Sequence, residues 1–331
     1  MKLLSSSVLA FTLATGFAAQ APRDTDYRIT GPYTHENLSI FLIHGSSRPL
    51  KNLLTLEEAV AQRKVIVYET RSVNELAIEN VSDEDVFIAS GDIVKGGAQD
   101  RTFKDDFILP TKSGRVNISA FCVEHGRWSR RGTESVATFN GASDMVATKK
   151  LKMAVKSKGD QREVWSEVAA AQASISSSVR SDARSPVSPT SFAMTMQAPI
   201  VQKSIQGYIS ELKAIPDRND DVIGYAFAIN GKVNSADVYA SHELFVRLWP
   251  KLLRASAVEA VSELKPDQKF DAASATAVKT ALADAETGKS SAKQLTDRTE
   301  VVVKETPQNL LYETRDRANR NAWLHRNYMT K

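Results

Sequence analysis

Two short stretches concentrate the residue types that grip or transform a ligand. The first is Gly91-Asp-Ile-Val-Lys-Gly-Gly-Ala-Gln-Asp-Arg101. Adjacent Gly96 and Gly97 let the backbone aim its N–H groups at one point, as anion-binding nests do. Lys95 and Arg101 add positive charge, and Gln99 offers both a donor and an acceptor. This is no P-loop, because Gly-Lys-Ser/Thr is absent and no helical pattern follows. The same residues also suit a plain turn between strands.

The second stretch is Phe121-Cys-Val-Glu-His-Gly-Arg-Trp128. Strand alternation puts Val116, Ile118, Ala120 and Cys122 on one face, the core side, and Glu124 continues that face to its rim. Arg127 would bind phosphate or carboxylate bidentately, Trp128 would wall the site, and Glu124 would orient the ligand or act as general base. The candidate site is therefore Glu124 for catalysis, with Gly96, Gly97, Gln99, Arg101, Arg127 and Trp128 holding an anionic small molecule. In the competing reading Glu124 pairs with Arg101 or Arg127 to fix the loop, and Trp128 packs on the core. Geometry separates the two. A pocket leaves these groups partly open to solvent, whereas a structural cluster buries them in mutual pairs.

Other chemistries find less support. Cys122 faces the core and reads as an inert thiol, and a single cysteine excludes an intramolecular disulfide or a cysteine-rich zinc site. His35, His44, His125, His242 and His325 lack metal-ligand spacing, so neither a metal nor a cofactor is expected. His44-Gly-Ser-Ser47 is like an oxyanion-hole loop, but no Gly-x-Ser-x-Gly elbow exists to go with it.

The elements that must position the site follow from periodicity. Strands are expected over 38–44, 64–68, 75–79, 85–89, 101–109 and 115–124, with 110–114 as a hairpin turn. Thr55 and Glu58 form a capping box before a helix over 56–63. Helical spacing covers 145–155, 162–173, 192–213, 242–264 and 271–286, with Pro199 at a first turn and Pro250 as a kink or restart. Asn230-Gly231 marks a hairpin, and short strands close the chain at 301–303, 310–314 and 323–328. Residues 174–191 hold eight serines with Pro186 and Pro189, and read as an exposed, flexible loop. Strands and helices come in blocks, which argues an α+β fold with a largely antiparallel sheet.

The 331 residues carry 43 Lys and Arg against 39 Asp and Glu, 42% of them are hydrophobic, and the composition is that of a globular chain. No basic stripe interleaved with aromatics marks a nucleic-acid partner. Lys2, an apolar run over 3–19 and Ala19-Gln-Ala21 read as a signal peptide over 1–21, with a cut after Ala18 as competitor. No later segment reaches the roughly 18 apolar residues of a membrane span. The expected product is exported, periplasmic or secreted, one large domain over 22–331 with no transmembrane anchor. A protein partner is not identified.

Three motifs in order carry a family resemblance: Leu54-Thr-Leu-Glu-Glu-Ala-Val, then Gly-Asp-x-x-x-Gly-Gly-x-Gln-Asp-Arg at 91–101, then Cys-Val-Glu-x-Gly-Arg-Trp at 122–128. Together with Gly224–Gly231 and the helix after Tyr239, the chain resembles the ARPP-type family, the ARG and rhodanese-phosphatase-superfamily-associated protein domain. Asp92 stands where that family is expected to carry Glu. The family is a domain of unknown function. The resemblance implies a tie to ADP-ribosylglycohydrolase and rhodanese-phosphatase modules, hence to ADP-ribose-like or phosphorylated ligands. Two functions remain open: an enzyme or binder for such a ligand, and a non-catalytic envelope protein whose motifs serve the fold.

Overall fold

β1 (Arg28–His35) and β2 (Leu38–His44) open the chain as an antiparallel pair. The computed structural model describes residues 26–331 except 218, 266 and 267, and the expected signal over 1–21 lies outside them. β2 is buried along its whole length because its two faces meet different cores. β3 (Leu53–Thr55) leads into α1 (Leu56–Ala61), and both hydrogen bonds of the expected capping box are made. Eight strands follow: β4 (Val65–Glu69), β5 (Glu75–Asn80), β6 (Asp85–Ile88), β7 (Asp92–Gly96), β8 (Arg101–Phe103), β9 (Phe107–Leu109), β10 (Gly114–Cys122) and β11 (Thr138–Val146).

A helical block comes next: α2 (Lys149–Met153), continued by a π turn, then α3 (Gln161–Ser178), α4 (Phe192–Met196) and α5 (Pro199–Leu212). Pro199 occupies the first turn of α5, where its missing N–H is harmless. β12 (Val222–Ile229) and β13 (Lys232–Tyr239) form the expected hairpin, with φ of 52° at Asn230 and 75° at Gly231. α6 (His242–Ser262) runs through Pro250 as one helix. α7 (Ala275–Glu286) and the strands β14 (Lys289–Gln294), β15 (Thr299–Glu305), β16 (Asn309–Asp316) and β17 (Ala322–Thr330) complete the chain.

The strands form three assemblies. An eight-stranded antiparallel sheet has the order β1-β2-β12-β13-β17-β16-β15-β14. A closed barrel runs β10-β5-β4-β11-β7-β8, and a small sheet β3-β6-β9 contains a parallel β3–β6 pair. One core joins Leu38, Ile40, Leu42, Tyr225 and Phe227 of the large sheet to Leu248 and Leu252 of α6. The opposite face buries Phe41, Ile43 and Ala236 against Val278 and Leu282 of α7. Val67, Leu76, Ile78, Val94, Phe103 and Ala120 fill the barrel. The fold is α+β with predominantly antiparallel sheets.

Several boundaries differ from the sequence reading. The single strand expected over 101–109 is two, because the chain leaves the barrel after Phe103 and joins the small sheet at Phe107. The glycine stretch is strand as far as Gly96. Met145 and Val146 end a strand rather than begin a helix, their apolar pattern fitting both. Residues 174–191 match the expected loop only in part, since 179–191 lie outside helix and strand with about half their side chains exposed. They are helix to Ser178, and beyond it Ala183, Ser188 and Ser191 are buried. Low apolar content misled because hydrogen bonds seat this segment: the Gln172 amide donates to the Pro189 and Ser191 carbonyls.

Candidate functional site

Both motifs meet at one end of the barrel. Residues 96–101 cross it from the end of β7 to the start of β8, and Glu124 lies just past the end of β10. Glu69 closes β4 at the same mouth.

Arg101 is in phase with Phe103 and turns into the barrel. It is completely buried, donates to both Glu69 oxygens at 3.0 and 3.2 Å, and reaches the Ser72 carbonyl at 2.9 Å. Arg101 therefore plugs the mouth with Glu69 as its partner.

Glu124 anchors a second cluster, also with no exposed surface. Its Oε1 accepts from Arg127 Nε at 2.7 Å, from Arg131 Nη1 at 3.4 Å and from the Ser188 hydroxyl. Its Oε2 accepts from the Asp100 N–H at 2.8 Å. Asp100 binds Arg131 bidentately at 2.8 and 2.9 Å and accepts from the Ser191 hydroxyl at 2.6 Å. Burial opposes the charge on Arg131, but its hydrogen bonds to Asp100 and Glu134 hold its pKa above the ordinary arginine value.

The diglycine turn works in the reverse sense to a nest. Gly96 N–H donates to Asp100, Gly97 N–H to the Thr138 carbonyl and Ala98 N–H to Glu69. The chain's own oxygens thus occupy those donors. The glycine carbonyls face a cation instead, since Arg127 donates to Gly96 O at 2.9 Å and Gly97 O at 3.1 Å. Gly97 has φ of +54°, and an added Cβ would stand 2.4 Å from the Phe139 ring, so a side chain here is doubly disfavoured.

Of the candidate residues, Glu124, Arg127, Gly96 and Gly97 come together directly, while Arg101 joins Glu69 nearby. Gln99 is fully buried, and neither of its amide atoms has a hydrogen-bond partner among the described residues. Trp128 is 49% exposed rather than packed on the core. Cys122 is buried as expected, and burial pushes its thiol pKa up to about 12.

Sequence reasoning missed Glu69, Asp100, Arg131, Ser188 and Ser191. Asp100 lay inside the first motif and Arg131 three residues past the second, both visible but unweighted. The two serines had no signal, since they reach the site only through the 179–191 crossing.

His44 shows a different geometry from the oxyanion loop its neighbours suggest. Its Nε2 lies 2.8 Å from the Thr30 hydroxyl and its Nδ1 2.8 Å from Asp221. That order matches a hydrolase relay, but Arg28 Nη2 also stands 2.8 Å from Nδ1 and donates to Asp221 at 2.6 Å, so the carboxylate is shared with a guanidinium. We read it as a cross-strand tether. Among the described residues no group of three His, Cys, Asp or Glu could hold a metal ion. No helix among them is long and apolar enough to cross a membrane. Two large grooves border the motifs, one of about 840 Å³ beside Glu57, Arg63 and Phe139, and one of about 690 Å³ beside Gln172, Asp182 and Thr190, whose hydroxyl donates to the His125 carbonyl.

The architecture defines an α+β protein in which a barrel, sealed at one mouth by internally paired charges, is built onto a large antiparallel sheet. The model of the ARG and Rhodanese-Phosphatase-superfamily-associated Protein domain matches residues 26–329, and the chain belongs to that family. Comparison with curated proteins and with solved structures finds no match.

Proposed function

We propose that this chain is an exported, non-catalytic binding protein whose two motifs build its fold. One observation carries this reading. The Arg127 guanidinium donates to Glu124, Gly96 O, Gly97 O and Ser129 O, and its side chain is only 8% exposed. An anion taking Arg127 would remove one of the two guanidinium groups that neutralise buried Glu124, a penalty of up to roughly 3–5 kcal/mol. The family name associates the domain with rhodanese-phosphatase-superfamily proteins, and a partner-binding module suits such company. Export rests on the Lys2 and apolar-run signal at the N-terminus.

The ligand alternative is tested by thermal shift with inorganic phosphate and with ADP-ribose at millimolar concentration. The expected result is no rise in melting temperature that depends on Arg127. A rise that disappears in Arg127→Lys would restore the anion pocket, because a ligand held by the native state stabilises it.

A further inference from the structure

The two edges of the large sheet are treated differently. At one edge β1 carries a bulge between Thr30 and Tyr33, and Pro32 within it has no N–H to offer a further strand. Helix α5 also packs against β1. At the other edge β14 pairs with β15 in unbroken register, from Lys289 opposite Glu305 to Gln294 opposite Glu300. All six of its residues are exposed, and among the described residues no element other than β15 makes more than slight contact with it.

The outward groups can be assigned. Leu295 N–H donates to the Thr299 carbonyl, so by strand alternation 289, 291 and 293 turn their backbone groups toward β15. Ser290, Ala292 and Gln294 then aim theirs away from the sheet. Lys289, Ser291 and Lys293 share one face, and neither lysine has an ion pair among the described residues.

We propose that β14 is a docking edge for an extended, acidic segment of a protein partner, which adds to the sheet as a ninth strand. This rests on reading the chain as a binding protein and names what it binds. Backbone pairing supplies the affinity, and acidic side chains four residues apart, opposite Lys289 and Lys293, supply the selectivity. The same lysines disfavour a second copy, because self-pairing gathers four of them on one face. A bulge-free open edge selects a strand, and its charge selects an acidic one.

The test uses two fluorescent peptides, Thr-Glu-Val-Thr-Val-Glu-Thr and its counterpart with lysine for glutamate, titrated into the mature protein by anisotropy. The acidic peptide should bind, and Lys289→Glu with Lys293→Glu should weaken it about tenfold and favour the basic peptide instead. Ala292→Pro removes the central outward donor while leaving the β15 pairing in place, so it should abolish binding at an unchanged melting temperature. Ser290→Pro serves the same purpose if Ala292→Pro lowers that temperature. Equal binding of both peptides, binding that survives both prolines, no binding at all, or dimerisation of the free protein by light scattering would overturn the proposal. None of these results depends on the phosphate and ADP-ribose titrations, so the two readings fail separately.

Discussion

Two of the buried charged clusters among the described residues follow opposite plans. At the barrel mouth Asp100, Glu124, Arg127 and Arg131 come from one stretch of chain and pair carboxylates with guanidinium groups. Where the barrel and small sheet meet the large sheet, His325 stands between Asp106 and Asp237, whose oxygens lie 2.7 and 3.1 Å from its two ring nitrogens. Tyr239 stacks on the imidazole at 4.3 Å, and Asp106 also accepts from Ser90 N–H and the Thr314 hydroxyl, each at 2.7 Å. The first cluster closes one unit. The second fastens units to each other, using residues more than two hundred positions apart. Arginine keeps its charge at any ordinary pH, so the mouth is indifferent to alkali. Histidine does not. Burial opposes the His325 charge, but Asp106 and Asp237 outweigh it and raise the pKa to about 9.

The largest effect is expected where removal of one side chain leaves two carboxylates under-partnered. Arg131→Met should lower unfolding free energy by about 3–5 kcal/mol, and by a similar amount from about pH 6 to 9. A loss that vanished at one end of that range would show that the two clusters do not differ as described.

The junction should show its difference in the pH profile. A pKa raised from 6.5 to about 9 on folding means His325 contributes stability in full below about 6.5 and loses it as pH rises through about 9. Urea denaturation should therefore show stability falling by about 2–3 kcal/mol over that window, with His325→Gln flattening the fall. Lys156, whose pKa desolvation holds down, acts in the opposite sense. A wild-type profile already flat from 6.5 to 9 would contradict the assignment of charge to His325.

A smaller effect tests how the mouth is held from outside. Ser191 caps α4 by accepting from Met194 N–H and donates to Asp100. Ser191→Ala should cost about 1–2 kcal/mol in thermal or urea melts. A neutral result would return 179–191 to the status of an independent loop.

The sequence was legible where neighbours in the chain are neighbours in space. The Thr55–Glu58 box, the Asn230-Gly231 hairpin and the inward phase of Ile118, Ala120, Cys122 and Glu124 are local signals, and all are present in the fold. The closed barrel was not legible, since closure depends on β11 reaching β4 and β7 rather than on any pattern within a strand. At the mouth, residue types identified the location but not whether the charges face a ligand or one another. Arg101 shows why: its partner Glu69 lies 32 positions earlier in a strand that carries no motif. The His325 cluster left no local trace at all.

The claim that the motif charges serve the fold is tested most directly by urea denaturation of wild type, Arg127→Met, Glu124→Gln and the double variant. Gln keeps one acceptor oxygen, for the Asp100 N–H, and turns its amide N–H to the Ser188 hydroxyl, while removing the charge. If Arg127 neutralises buried Glu124, Arg127→Met alone should lose about 3–5 kcal/mol. The double variant should then be about 2 kcal/mol more stable than the two single losses predict by addition. Losses within about 0.5 kcal/mol for each single, adding without coupling, would contradict the account and return Arg127 to a ligand.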